Sequence, residues 1–250
     1  MTIDEWVAAL EKRHLANLRL PELTRALRAL SSAYVERRHT VGGGAPLDSA
    51  GKRAAFALFY APLHFLTATY IIHALDEAVA PAPLSVLDIG CGTGAAGAAW
   101  AVACGGRPPV TGVDRHPWAV DEARWTYRML ELQGSVRQGD IARLPRLNRG
   151  SAAIAAYVLN ELSPDKRERL LEQLFAASAH GLRVLILEPI ARAVAPWWDD
   201  AATTAGQAGG RADEWRFQAD LPPLLQTLDK AAGLDHRELT ARSIWLPGTP

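Results

Sequence analysis

Ser85-Val-Leu-Asp-Ile-Gly-Cys-Gly-Thr-Gly94 packs a strand, a tight turn and a helix start into one segment. A short apolar run leads into Asp88, and glycines follow at Gly90, Gly92 and Gly94. Ala95 to Ala103 is then rich in helix formers. That order predicts a buried strand, a glycine turn and a helix. Without a Cβ, such a turn bends sharply and lets a ligand approach the backbone. The ligand is expected at the open end of the strand, against the free N–H groups that begin the next helix.

Outward from this segment the pattern alternates strand and helix. This predicts an α/β fold with a doubly wound, mostly parallel, Rossmann-like sheet. Strands are expected at Leu84 to Ile89, Pro109 to Val113, Ser135 to Arg137, Ala152 to Val158 and Leu182 to Leu187. Helices are expected at Pro117 to Leu132 and Pro164 to Ala179. After Pro196 the pattern thins to a helix at Leu221 to Ala232 and two short edge or antiparallel strands, His236 to Thr240 and Ser243 to Leu246.

Before Pro81-Ala-Pro83 the chain reads as all-helical. Thr2-x-x-Glu5 has the form of a capping box. Leu23, Leu27, Leu30 and Tyr34 recur at helical spacing in a second helix, Pro21 to Arg38. Val41 to Leu47 reads as a flexible linker. A third helix runs from about Gly51 to Ala78, and Pro62 should kink or split it. The expected organisation is an N-terminal helical extension, residues 1–80, and a sheet domain, residues 81–250.

The 250 residues, 49% hydrophobic, suffice for a core. Basic and acidic residues balance at 27 each, so no global field draws the chain to nucleic acid, although a local patch stays open. Cys91 and Cys104 offer neither a metal-ligand spacing nor a disulfide framework. The start, Met1-Thr-Ile-Asp-Glu, lacks the basic character of a secretory signal. The longest apolar stretch, Ala54 to Leu75, contains Tyr60, Pro62, His64 and His73. It reads as a core helix pair rather than the ~20-residue run that crosses a bilayer. The expectation is a soluble cytoplasmic protein with no membrane partner.

Two cofactors could use the turn. Gly92-Thr-Gly94-Ala-Ala-Gly97 matches a dinucleotide fingerprint, which makes NAD one candidate. The longer string, a strand ending in Asp88-x-Gly90-x-Gly92-x-Gly94, resembles motif I of the class I, Rossmann-like S-adenosylmethionine-dependent methyltransferases. Asp114 closes the second strand 24 positions after Gly90, the spacing at which an acid meets a ribose hydroxyl pair. The resemblance implies S-adenosylmethionine as cofactor and S-adenosylhomocysteine as product, with Asp88 near the cofactor's amino-acid part. It also implies that Asp140 bonds the adenine amino group and Ile141 packs on the ring. Cys91 in the turn, Arg115 after Asp114, and Tyr157 complete the implied cofactor site.

In an open α/β sheet, ligands lie beyond the carboxyl ends of the strands. Asn160 and Glu161 follow strand four there, the first suited to orient an acceptor, the second to act as a base. Each has a plainer reading, as a cap and as a surface ion-pair partner. Glu188 follows strand five, facing the cleft or bracing the N-terminal helices. Trp197, Trp198 and Trp215 could form a lid over an acceptor or cover the sheet edge. His64, which titrates near neutrality, is a further base candidate, with Tyr60 one turn before it.

A narrower resemblance is to the ribosomal small-subunit methyltransferase-like family of bacteria and mitochondria. It rests on Leu20-Pro-Glu-Leu, on Ala26 to Tyr34, on Tyr157-Val-Leu-Asn-Glu-Leu162 and on Leu187-Glu-Pro189. That family commonly carries a cysteine cluster, and this chain has no cysteine after Cys104. The expected reaction is methyl transfer from S-adenosylmethionine to a small-molecule or peptide acceptor. One alternative is a ribosomal RNA methyltransferase or ribosome assembly factor, with Arg37, Arg38, Lys52 and Arg53 on phosphate. A second is a non-catalytic protein that keeps the cofactor fold.

Overall fold

The computed structural model describes residues 1–248 apart from 17, 37–46, 143, 145–147 and 192–194. The expected linker, up to residue 46, and the phosphate candidates Arg37 and Arg38 lie outside the described residues. The chain packs as two compact units that interleave in sequence. One joins Met1–His64 to Arg216–Leu239, and the other joins Phe65–Trp215 to Thr240–Pro250.

In the first unit, helix α1 (Ile3–His14) opens with the expected capping box, Thr2 and Glu5 satisfying each other's backbone N–H. Helix α2 (Leu20–Glu36) buries Leu23, Leu27 and Leu30. Its Arg28 donates to the carbonyls of Ala231 and Ala232, at the end of α10 (Pro223–Ala232). A cation there meets the negative end of the helix dipole. Lys52 pairs with Asp48, and Arg53 donates to the Leu47 carbonyl.

Pro62 does not split its helix. Helices α3 (Ala50–Ala55) and α4 (Ala61–Ala74) run on as one, through a π-helical turn at Phe56–Tyr60. There the Ala61 N–H reaches back five residues to the Phe56 carbonyl. The widened turn just before Pro62 accommodates the missing N–H and the ring, which a regular α-helix cannot. The continuous helix Ala50–Ala74 contains an 18-residue window with a mean hydropathy of 1.5 and is long and apolar enough to cross a membrane, against the expectation from its interrupted sequence. Its most apolar window is 67% buried within the protein, as in a core helix. Short helix α5 (Asp76–Val79) follows.

Among the described residues the sheet has seven strands: β1 (Val86–Ile89), β2 (Val110–Asp114), β3 (Gly134–Gln138), β4 (Ala152–Ala156), β5 (Arg183–Glu188), β6 (Arg211–Gln218) and β7 (Glu238–Leu246). Their order is β3-β2-β1-β4-β5-β7-β6. The pairs from β3 to β5 are parallel, and β7 lies antiparallel on β5. The two strands expected near the C-terminus are thus one, antiparallel as the second alternative had it, and inside the sheet rather than at its edge. The edge beside it is β6, whose alternating exposure turns Asp213, Trp215 and Phe217 inward.

Alternation along the strands covers both faces. Leu87, Ile89, Ala153, Ala155, Val184 and Ile186 pack with Leu170 and Leu174 of α8 (Pro164–Ser178) and with Trp198, Ala201 and Ala205 of α9 (Trp198–Gln207). The opposite side of β1 faces α6 (Ala95–Ala103), whose Trp100 meets Trp245 of β7. Helix α7 (Pro117–Met129) packs on β2 and β3.

Candidate active site

The turn after β1 is fixed from beneath. The N–H groups of Gly90 and Cys91 both donate to the Val113 carbonyl at 2.9 and 3.1 Å, tying the turn to β2. Gly90 has φ +64°, and a Cβ there would stand 2.3 Å from Val158. Gly94 has φ +80°, and its Cβ would meet Tyr127 at 2.7 Å. Neither position tolerates a side chain, on conformation or on space. Cys91 fills the gap over Gly112, where a Cβ would come 2.8 Å from its sulfur. Burial, with Asp88 and Asp114 adding, pushes its thiol well up, so it is a packing atom rather than a nucleophile.

Asp88 is sealed under the turn. It accepts from the Gly97 N–H at 2.9 Å and from the Tyr127 hydroxyl at 3.4 Å. Burial raises its carboxyl to about 7. Glu188, at the end of β5, is raised to about 8 for the same reason. A buried carboxyl raised in this way holds a proton in the fold that the unfolded chain has lost, so stability falls as pH rises from about 4 to 7. His64 works against this. Burial lowers it to about 4, and below about 6.5 the unfolded chain takes the extra proton. The steepest loss from these groups is therefore expected between about pH 6.5 and 7, with Asp88 and Glu188 each contributing up to about 1.4 kcal/mol per pH unit. Urea unfolding of wild type and Asp88→Asn from pH 5 to 8 checks this. Parallel stability curves for the two proteins would refute it.

Asp114 lies across the turn from Asp88, half-buried at the end of β2. One oxygen accepts from the Gly92 N–H at 2.9 Å and the other from the His116 N–H at 2.8 Å. A carboxylate offers about four acceptor positions, so two remain for a ligand. The Gly139 N–H donates to the Asp114 carbonyl, which brings Asp140 beside it. Asp140 is exposed, accepts from the Ala142 N–H at 3.0 Å and pairs with Lys166 at 3.2 Å, while Ile141 is buried. Arg115 is exposed and its carbonyl accepts from Gln138. Helix α6 begins after Gly94, which has no side chain to cap it; Asp88 takes the Gly97 N–H, and those of Ala95 and Ala96 are left to an outside acceptor. This donor set and the spare lone pairs of Asp114 fit a cofactor with both an anionic group and a ribose.

Past β4, Tyr157 holds φ +58°, a costly conformation for a ring-bearing residue. Its N–H donates to the Leu187 carbonyl, its hydroxyl shares a hydrogen bond with Thr67, and burial pushes that hydroxyl up. Asn160 is engaged at both ends of its amide, donating to Glu188 at 2.6 Å and accepting from the Trp197 indole at 2.9 Å. Glu161 is exposed at the rim. Protein packed around its carboxyl pushes it up, Arg115 opposes this and Asp114 reinforces it.

Glu188 thus braces the loop after β4, rather than facing the cleft or holding the N-terminal helices. The tryptophans do not form one lid. Trp197 joins Asn160, Trp198 is buried under Arg242 at 4.4 Å, and Trp215 donates to Ser243 at 2.8 Å and meets Tyr70. In the other unit, half-buried His64 lies against Phe56 and Tyr60, with ring centroids 6.0 and 6.2 Å away.

Residues 86–181 match the profile of a methyltransferase domain. No curated protein matches the chain by sequence. Among solved structures, the mitomycin 7-O-methyltransferase MmcR is 17% identical with a TM-score of 0.52, over 96% of this chain and 71% of that one. The Synechocystis magnesium protoporphyrin IX methyltransferase with bound S-adenosylhomocysteine is 15% identical with a TM-score of 0.51, over 90% of this chain and 98% of that one. At these identities the likeness is one of fold. The profile starts at Val86, the first residue of β1, and runs through the glycine turn to Gly181, before β5. The profile match, over less than half of the chain, and the fold support the class I, Rossmann-like S-adenosylmethionine-dependent methyltransferase superfamily.

Proposed function

We propose that the protein transfers the methyl group of S-adenosylmethionine to a nucleophile on a small-molecule or peptide acceptor. The observation that carries this is Asp114, poised at the end of β2 with two acceptor positions spare while its other two hold the N–H groups of Gly92 in the glycine turn and of His116 after β2. When bound, the cofactor supplies a methyl group already activated on a sulfonium. The chain's task is then to bind, align and exclude water. On this reading Asp114 takes the ribose hydroxyls, Asp140 and Ile141 hold the adenine, and Asp88 keeps the turn in shape. Tyr157 and Asn160 order the acceptor end. Glu161, with its raised carboxyl, accepts a proton where the acceptor must lose one.

Residues 1–80, with Tyr60 and His64, act in this proposal as the acceptor-selecting extension of the 81–250 domain. The place of action is the cytoplasm. A small acceptor is favoured by the neutral charge balance and by Lys52 and Arg53 already being engaged within the chain.

Calorimetric titration tests the proposal. S-adenosylmethionine and S-adenosylhomocysteine are expected to bind in the micromolar range, and NAD not to bind. NAD binding alone would overturn the cofactor reading, and binding of none would favour a non-catalytic role. RNA binding that falls steeply with salt would instead favour the ribosomal alternative.

A further inference from the structure

Glu188 stands out because its burial is expensive. It has no exposed surface, at the end of the buried strand β5. One oxygen accepts from the backbone N–H groups of Leu159 and Asn160, at 3.0 and 3.4 Å. The other accepts from the Asn160 side-chain amide at 2.6 Å. The carbonyl of that amide takes the Trp197 indole N–H at 2.9 Å. An indole N–H only donates, so it fixes the Asn160 carbonyl toward Trp197 and leaves the Asn160 NH₂ to donate to Glu188.

The circuit closes on itself. Trp197 packs on Trp198 at 5.6 Å, the Arg242 guanidinium lies 4.4 Å over Trp198, and Arg242 sits opposite Glu188 in the β5–β7 register. Arg167 covers Trp197 at 5.4 Å. Apolar side chains could hold the same segments together at no greater cost. What they could not do is fix the direction of an amide and an indole. We propose that Glu188 is a positioning residue, which through Asn160 locks the loop after β4 and the Trp197 ring in one arrangement at the acceptor end of the site. The purpose assigned to the loop rests on the methyl-transfer reading, whereas the circuit does not.

Glu188→Gln is the first test. The introduced glutamine keeps an oxygen for the two backbone N–H groups but turns an amide NH₂ toward the Asn160 NH₂. If Asn160 flips to escape, its NH₂ faces the indole N–H instead. Adding Asn160→Asp restores complementarity, because the new carboxylate accepts from both the glutamine amide and the Trp197 indole.

The readout is the indole N–H spectrum of ¹⁵N-tryptophan-labelled protein, with the Trp197 peak assigned by its loss in Trp197→Phe. Glu188→Gln is expected to displace the Trp197 peak while peaks distant from the circuit hold, and the double variant to return it to the wild-type position. An unmoved peak in Glu188→Gln overturns the proposal. So does a double variant that is unfolded or keeps the displaced peak, and this second result decides the matter should Glu188→Gln alone not fold. S-adenosylmethionine titrated into the same proteins separates the two readings. A wild type that does not bind it sinks methyl transfer and leaves the circuit result standing. A wild type that binds it, with Trp197 indifferent to the substitution of Glu188, sinks the positioning role alone.

Discussion

Asp114→Ala is expected to weaken S-adenosylmethionine binding by a factor on the order of 100 or more. The magnitude follows from two hydrogen bonds between ribose hydroxyls and a charged group, at about 1.5–3 kcal/mol each. The alanine also releases the N–H groups of Gly92 and His116, which the carboxylate now holds at 2.9 and 2.8 Å. At about 1 kcal/mol apiece, those losses lower stability by about 2 kcal/mol and loosen the turn. Asp114→Asn separates the two effects. Its carbonyl oxygen keeps one of the backbone bonds, while its NH₂ repels the other and cannot accept from a hydroxyl, so a loss on the order of tenfold is expected. Calorimetry alongside urea unfolding gives both numbers for both variants. If Asp114→Ala lost stability but kept wild-type affinity, Asp114 would be a brace for the loop and no part of the cofactor site.

Asp114 was legible in the sequence because its place depends on short-range rules: a strand, a turn of fixed length and the strand beside it. The glycine turn was legible for the same reason, since left-handed φ values at Gly90 and Gly94 leave little choice of residue. The circuit around Glu188 was not. Asn160 lies 28 residues from Glu188 and 37 from Trp197, and no spacing rule joins a strand end to a loop at such separations. Strand β6 escaped notice because an edge strand with one wet face is mostly polar, its inward period carried by Asp213, Trp215 and Phe217 alone. Pro62 misled because helix rules assume four-residue hydrogen bonds, and a single five-residue turn removes the conflict. Nor does any local signal announce that α10 packs with the N-terminal helices, as the Arg28 contacts to its end show.

Gly97→Ala tests the close approach of α6 to β1, and two principles give it opposite signs. Gly97 lies inside α6, where alanine is favoured over glycine by about 1 kcal/mol in an isolated helix. In this fold, however, a Cβ at Gly97 would stand 2.6 Å from the Asp88 carboxylate oxygen and 2.7 Å from the Asp88 Cβ. Asp88 cannot step back, because β1 is paired on both sides, to β2 and to β4. The Gly97 N–H is also the donor to that carboxylate, so pushing the helix away stretches a buried bond. Overpacking costs about 1–3 kcal/mol and a weakened buried bond about 1–3 more, which outweighs the helix gain. The expected result is a net loss of about 2–4 kcal/mol in urea unfolding. Asp88→Gly in the same protein removes the opposing Cβ and carboxylate. In that background Gly97→Ala should be neutral or stabilising, a coupling of at least about 2 kcal/mol across the pair. Should Gly97→Ala raise stability in the wild-type background, the helix would lie farther from β1 than these distances require. The glycine would then serve the helix start and its ligand rather than the packing of helix on strand.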